Sequence, residues 1–190
     1  MTNNIKELAG FIWSIADLLR GDFKQSEYGK VILPFTVLRR LDCILEPNKA
    51  EFDKVYEKKK VQFNGRVPEP VIKSISKGSF YNISRFTFKS LLDDPSQIKN
   101  NIKKYIDGYS DNVLNIMGHF EIEKQIDKLE SADLLYLVSQ KFSNIDLHPD
   151  NVSNMEMGYA FEELIRRFAE LSNETAGEHF TPREVIHLMV

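Results

Sequence analysis

The 190-residue sequence is poor in cysteine and contains no long apolar run. Cys43 is its only cysteine, so the chain cannot form an internal disulfide, which is usual in a reducing compartment. No stretch approaches the ~18 apolar residues that a membrane span requires. The first residues also lack the basic-then-apolar layout of a secretory signal. These absences predict a cytoplasmic protein.

Several catalytic signatures are missing as well. The nine glycines never occur as G-x-G, which excludes the dinucleotide-binding fingerprint and the P-loop. Cys43 lies in an apolar stripe, where a small buried side chain is expected rather than a nucleophile. Glu162-Glu163 and Arg166-Arg167 are four residues apart and are expected to form surface charge pairs. No metal site is predicted, because metal-ligand spacing is absent from the histidines, which are His119, His148, His179 and His187.

The sequence is rich in apolar residues at helical spacing. Its 42% apolar and 28% charged residues are typical of a globular protein. The stripes predict one helix over residues 5–19 and a second over 31–45, which Pro34 interrupts and Pro47 ends. A third, more charged helix is predicted over residues 48–63. No alternating strand pattern of consequence is present, so the predicted fold class is all-α, a multi-helix bundle.

Loop and capping residues predict the remaining boundaries. Residues 64–70 form a loop, and residues 71–88 are hard to interpret but fit a short helix and a brief extended piece near Phe80. Asp94-Pro95-Ser96-Gln97 is a typical helix start, and further apolar stripes follow as far as Phe142. The polar stretch 144–153 is the best internal boundary.

This boundary predicts a helical domain over residues 1–150 and a helical lead-in to a following domain over residues 151–190. Ser153 and Glu156 form a capping box for a helix that extends to Leu171. A last helix opens at Thr181, and the chain stops inside its apolar stripe at Val190. The sequence is therefore expected to be a fragment of a larger protein.

Charge is distributed unevenly along the chain. Residues 1–90 carry 16 Lys and Arg against 10 Asp and Glu, whereas residues 91–190 carry 9 against 18. Such asymmetry either marks a nucleic-acid face at the basic end or reflects an ordinary solvated helical surface.

The segment Ala176–Arg183 differs from the rest of the chain. Small residues lead into Phe180 and then into a helix start, whose unpaired N–H groups favour an anion. Glu178 or Thr181 would hydrogen-bond the polar groups of a ligand, and Phe180 would cover an apolar part. The alternative is a plain helix cap in which Phe180 is the hydrophobic staple.

Gly177–Arg183 reads GEHFTPR and is similar to the G-x-[FY]-[FY]-T-P-R segment of N6-adenine DNA methyltransferases. The family it resembles is the modification subunit of type I restriction–modification systems. Residues Trp13–Gly21, Val31–Asp42 and Met157–Arg167 resemble the helical amino-terminal region of the same subunit. The resemblance covers essentially the whole chain.

The resemblance implies that the full-length protein transfers a methyl group from S-adenosylmethionine to N6 of adenine in DNA. It also implies that a Rossmann-like α/β methyltransferase domain follows this chain. The glycine-rich cofactor loop and the N-P-P-[FY] tetrapeptide of that domain are absent here, so the catalytic residues are expected beyond Val190. His179 departs from the family's usual aromatic. By this resemblance, the residues that would contact the cofactor are Glu178, His179, Phe180, Thr181, Pro182 and Arg183.

The implied partners are double-stranded DNA, a specificity subunit that reads its sequence, a restriction subunit and a second modification subunit. The helical amino-terminal region is expected to help clamp DNA and to contact partner subunits. Phosphate contacts by its basic side chains would be independent of sequence and sensitive to salt, although exposed solubilising charge is the favoured alternative for each of them. The candidates are Arg39, Arg40, Lys54, Lys58, Lys59, Lys60 and Arg66.

Two other functions fit the residues. One is a stand-alone helical module that binds protein or DNA without an attached enzyme. The other is a helical regulatory protein that dimerises through the surface around Trp13.

Overall fold

The computed structural model describes residues 3–76 and 78–171 of the chain. Over these ranges the regular elements are helices, joined by 3₁₀ turns and accompanied by isolated β-bridges rather than strands. The predicted all-α fold is confirmed. Within the same ranges no helix combines the length and the apolar character needed to cross a bilayer. The helices are α1 (Asn3–Leu19), α2 (Tyr28–Gln62), α3 (Glu69–Ser76), α4 (Ile98–Asp107), α5 (Asp111–His119), α6 (Ile122–Ser131), α7 (Leu135–Ser143) and α8 (Asn154–Leu171).

The described residues divide into two compact units: a helical body over residues 34–151, and a terminal unit formed by residues up to 33 and from 152 onward. In the terminal unit α1 lies against α8. The predicted α1 stripe is buried at Leu8, Ile12, Ile15 and Leu19. The helix ends before Gly21, whose φ of 102° is one that a residue without a Cβ adopts easily.

The capping box predicted for α8 is present. The Ser153 backbone N–H donates to Oε2 of Glu156 at 2.9 Å, and the Glu156 N–H donates to Oγ of Ser153 at 3.2 Å. These two bonds satisfy donors that would otherwise be unpaired at the helix start. A surface charge pair is also found on α8, at a spacing of three residues rather than the predicted four. Arg166 donates to both carboxylate oxygens of Glu163, three residues earlier, at 2.8 and 3.0 Å.

The expectation that Pro47 ends a helix was wrong. Pro34 and Pro47 both lie inside the continuous helix α2, so the predicted third helix is the second half of the same element. Each proline removes one backbone hydrogen bond. Tertiary packing of the flanking turns offsets that loss, because Phe35 and Leu38 are fully buried after Pro34 and Lys49 is anchored two residues after Pro47.

In the core of the helical body α2 contacts α4 and α7, and α6 packs against α4, α5 and α7. The rings of Phe35 and Phe142 lie 5.6 Å apart, and Phe88 meets Tyr105 edge-on at 5.9 Å. The apolar stripes predicted between residues 98 and 142 are buried at most positions, although Leu137 is 42% exposed. The predicted helix start at Asp94 is confirmed, since its carboxylate accepts the Ser96 N–H at 3.1 Å and a 3₁₀ turn leads directly into α4.

The segment between α3 and α4 contains the brief extended piece that the sequence predicted. Asn82 forms an antiparallel bridge with Tyr109, and the Ile83 N–H donates to the carbonyl of Gly108 at 2.8 Å. The backbone approach is close at this point. A Cβ on Gly108 would lie 2.5 Å from Oδ1 of Asn82 and 2.6 Å from the backbone N of Ser84.

Candidate nucleic-acid interface

The carboxyl-terminal end of α2 projects from the helical body. From Glu57 to Arg66 every side chain is exposed apart from Lys59, which is half-buried, and the chain returns to the core at Val67. We call Glu57–Arg66 the α2 tip. Together with Lys54, which lies one turn before Lys58, the tip carries five basic side chains and one acidic side chain. It is therefore a compact positive protrusion.

The backbone of the α2 tip is closed by a Schellman motif. Asn64 has a φ of 52° and Gly65 a φ of 96°. The Gly65 N–H donates to the Lys60 carbonyl at 2.7 Å, and the Asn64 N–H donates to the Val61 carbonyl at 3.3 Å. These bonds satisfy carbonyls that are otherwise unpaired at a helix end. They end the helix, and the chain then returns to the buried Val67.

The base of the tip is held by a small apolar cluster and a buried lysine. Tyr56, Val67, Ile72 and Tyr81 are buried together, so α2, α3 and the following segment share one cluster. Lys49 anchors the same helix, since its ammonium donates to the carbonyl of Asn82 at 3.2 Å, to the carbonyl of Ser84 and to Asp53. These contacts anchor the base of the tip to the helical body.

The basic side chains of the tip differ in how they are engaged. Lys59 donates to Oε1 of Gln62 at 3.0 Å, and Lys60 lies 3.5 Å from Oε1 of Glu57. Within the part of the chain that the structure describes, Lys54, Lys58 and Arg66 make no ion pair. Their charges are available to an external anion.

The two arginines predicted alongside these residues lie elsewhere and have other partners. Arg39 is 3% exposed; its Nη1 donates to Asp42 at 2.7 Å and its Nε to the carbonyl of Ile145 at 2.8 Å. Arg40 donates to the carbonyl of Leu147 at 2.9 Å, and burial lowers its pKa. Both therefore tie α2 to the loop after α7. The guanidinium of Arg39 is too deeply buried to reach a phosphate, so it is not carried forward as a DNA contact.

Asp42 is the centre of a buried polar cluster in the helical body. Besides Arg39, it accepts the hydroxyl of Tyr105 at 2.9 Å and the backbone N–H of Phe88 at 3.1 Å. Burial raises the pKa of Asp42, and these hydrogen bonds and the charge of Arg39 oppose that rise. Burial also raises the pKa of Tyr105 well above its ordinary value, which keeps the phenol protonated. The cluster links α2, α4 and the Phe88 segment, and its role is structural.

Cys43 is buried, as expected from its position in the apolar stripe. Its sulfur accepts the backbone N–H of Leu147 at 3.4 Å. Burial raises the pKa of its thiol, which disfavours the nucleophilic thiolate.

Sequence reasoning missed an open cleft of about 480 Å³ between the second half of α2 and the segment after α3. Its apolar lining includes Leu45, Phe52, Val55, Phe80 and Tyr81. No sequence signal could have identified it, because its walls come from separate elements whose apolar residues also read as core. The six predicted cofactor contacts, Glu178, His179, Phe180, Thr181, Pro182 and Arg183, lie outside the described residues.

Comparisons with known proteins place the chain in a family. Residues 8–142 match the HsdM N-terminal domain, and residues 152–190 match the N-6 DNA Methylase family. The chain is 22% identical over 203 residues to the Type I restriction enzyme MjaIX methylase subunit of Methanocaldococcus jannaschii. That alignment covers 97% of this chain and 35% of the relative, so the chain spans about a third of the relative's length. Since the first match covers well over half of it, the chain belongs to the HsdM N-terminal domain family.

Proposed function

We propose that this chain is the amino-terminal part of the methyltransferase subunit of a type I restriction–modification system. The whole protein would transfer a methyl group from S-adenosylmethionine to N6 of adenine in DNA, and this part alone would be inactive. The observation that carries the proposal is the order of the two family matches, the HsdM N-terminal domain followed directly by the start of the N-6 DNA Methylase family.

The same order of matches supports separate roles for the two parts of the chain. Residues 1–150 would be the helical domain that contacts DNA and partner subunits, and residues 151–190 would lead into the methyltransferase domain. The partners would be a specificity subunit, a restriction subunit and a second modification subunit in the cytoplasm. Cofactor contact is proposed at the six residues from Glu178 to Arg183, with most of the pocket supplied by the methyltransferase domain.

DNA contact is proposed for the α2 tip, for Lys54 and for Arg40, which is half-buried. Lys54, Lys58 and Arg66 support the proposal, since they are exposed and have no ion-pair partner among the described residues. Lys59 and Lys60 would add to the positive potential at the helix end. Contacts between these lysines and phosphates carry no sequence information.

Activity is tested with the complete gene, expressed together with its specificity subunit. Transfer of labelled methyl from S-adenosylmethionine to N6 of adenine is expected, and the reading frame beyond Val190 should encode a glycine-rich strand-to-helix turn followed by N-P-P-F or N-P-P-Y. A stop codon soon after Val190, without any such turn, would favour the stand-alone interaction module instead. The 190-residue chain alone should bind S-adenosylmethionine weakly or not at all by calorimetry, and submicromolar binding would contradict the proposed cofactor site.

The DNA contact is tested by the salt dependence of binding. The affinity of the 190-residue chain for a DNA duplex is measured by fluorescence anisotropy at several salt concentrations. Each lysine that neutralises a phosphate contributes about 0.9 to the slope of log affinity against log salt. Lys54→Gln and Lys58→Gln should each reduce the slope by about that amount. Lys104→Gln, an exposed lysine on α4, is the matched control and should leave it unchanged. Equal slopes for all variants would rule out the α2 tip as a phosphate contact.

A further inference from the structure

The α2 tip also carries two exposed apolar side chains among its charges. Val61 is 79% exposed and Phe63 is 37% exposed. Val61 lies on the same helical face as Lys54 and Lys58, at steps of seven and three residues. Phe63 follows the last helical residue, inside the Schellman turn. Because Val61 shares a face with Lys54 and Lys58, it would meet any surface that these lysines contact.

The width of the α2 tip, compared with the groove widths of duplex DNA, allows it to enter only one of the two grooves. A helix with its side chains is about 10–12 Å across. The major groove of B-DNA is about 12 Å wide and admits a helix, whereas the minor groove is about 6 Å wide and does not. The positive charge of the tip complements the phosphates on either side of the groove. Among the base edges of the major groove, the C5-methyl group of thymine is the one that apolar side chains contact.

We infer that the α2 tip enters the major groove, where Val61 contacts a thymine C5-methyl group while the neighbouring lysines contact phosphates. This inference rests on the proposed DNA contact and adds a base-edge component to it. The contact gives a preference for A·T-containing steps that is independent of salt, beside the salt-dependent contribution of the lysines. Such a preference is modest, since burying one methyl-sized group is worth about fourfold in affinity.

The experiment compares two DNA duplexes that differ only in the thymine methyl group. One is an A·T-rich duplex, and the other has deoxyuridine in place of every thymidine. The 190-residue chain should bind the uracil duplex several-fold more weakly than the thymine duplex at each salt concentration. Val61→Ala should reduce this difference without changing the salt slope, whereas Phe63→Ala, two residues further on and off the Val61 face, should not reduce it. Ile116→Ala, at a 45% exposed position on α5, is the matched control and should retain the difference.

The outcomes separate this inference from the proposed function. If the lysine variants change the salt slope while the thymine and uracil duplexes bind alike, the tip contacts phosphates and the major-groove contact is overturned. If Val61→Ala changes neither duplex's affinity but weakens co-purification with the specificity subunit, the apolar residues form a protein interface and the inference is likewise overturned. If no variant changes DNA binding at all, the proposed DNA contact fails together with the inference.

Discussion

Replacing Asp42 with alanine tests how much the buried polar cluster contributes to stability. The Asp42 carboxylate accepts from Arg39 at 2.7 Å, from Tyr105 at 2.9 Å and from the backbone of Phe88 at 3.1 Å. Alanine would leave a buried guanidinium whose nearest other carboxylate is that of Glu46, at 3.7 Å. Removing one partner of a buried ion pair typically costs about 3–5 kcal/mol. That is a large fraction of the roughly 5–15 kcal/mol that stabilises a folded protein.

The assay is urea unfolding followed by circular dichroism, with the midpoint and slope compared between variants. Asp127→Ala is the matched control, because Asp127 also accepts from two cations, Lys99 at 3.0 Å and Lys103 at 3.1 Å, but is exposed. Exposed ion pairs are screened by water, so this variant should shift the midpoint little. Similar midpoints for Asp42→Ala and Asp127→Ala would refute the view that burial gives the Asp42 cluster its importance.

Three further predictions concern packing, an unpaired hydroxyl and pH. Gly108→Ala should destabilise the chain by roughly 1–3 kcal/mol, because its Cβ would lie 2.5 Å from Asn82 Oδ1, whereas Gly118→Ala has open space and should be tolerated in the same urea assay. Ser139→Ala should stabilise the chain by about 1 kcal/mol, because the buried Ser139 hydroxyl has no partner among the described residues; Ser143→Ala, which removes a hydroxyl bonded at 2.8 Å, should not. The backbone N–H of His148 holds the pKa of the Asp146 carboxyl below its ordinary value of 3.8. The ionised carboxylate therefore stabilises the fold above pH 3.8, and this stabilisation is lost as the pH falls through the lowered pKa. Asp146→Asn should therefore lower the urea midpoint at neutral pH but not in strong acid, and an equal decrease at both would contradict this.

Sequence reasoning succeeded where the determinants are local. The helix starts at Asp94 and Ser153 follow from side chains that bond to the backbone within three residues. It failed at Pro47, because distant packing decides whether a helix tolerates a proline. It also could not distinguish Arg39 from Lys58, since both are basic residues on a helix. The carbonyl that accepts from Arg39 Nε belongs to Ile145, 106 residues further along the chain.

The apolar residues of the tip show a further limit of local pattern. Val61 lies within a stretch of charged helical residues. The sequence does not indicate whether its side chain is buried or exposed. The Schellman turn at Asn64-Gly65 could be anticipated from the N-G pair, which the sequence reads as a loop. The last turn and a half of α2 is exposed because of where α3 packs. The residues near the turn do not indicate this packing.

The hydrogen bonds around Asp42 have a consequence for how the sequence can change over generations. A single exchange at Arg39 or Asp42 leaves the other charge buried without its ion-pair partner. Exchanging both for apolar side chains of similar volume often leaves the stability of a protein unchanged. These two positions should therefore be inherited as a unit, present together in one lineage and absent together in another. Lys54 and Lys58 are exposed, so exchanging either of them leaves no buried charge without a partner.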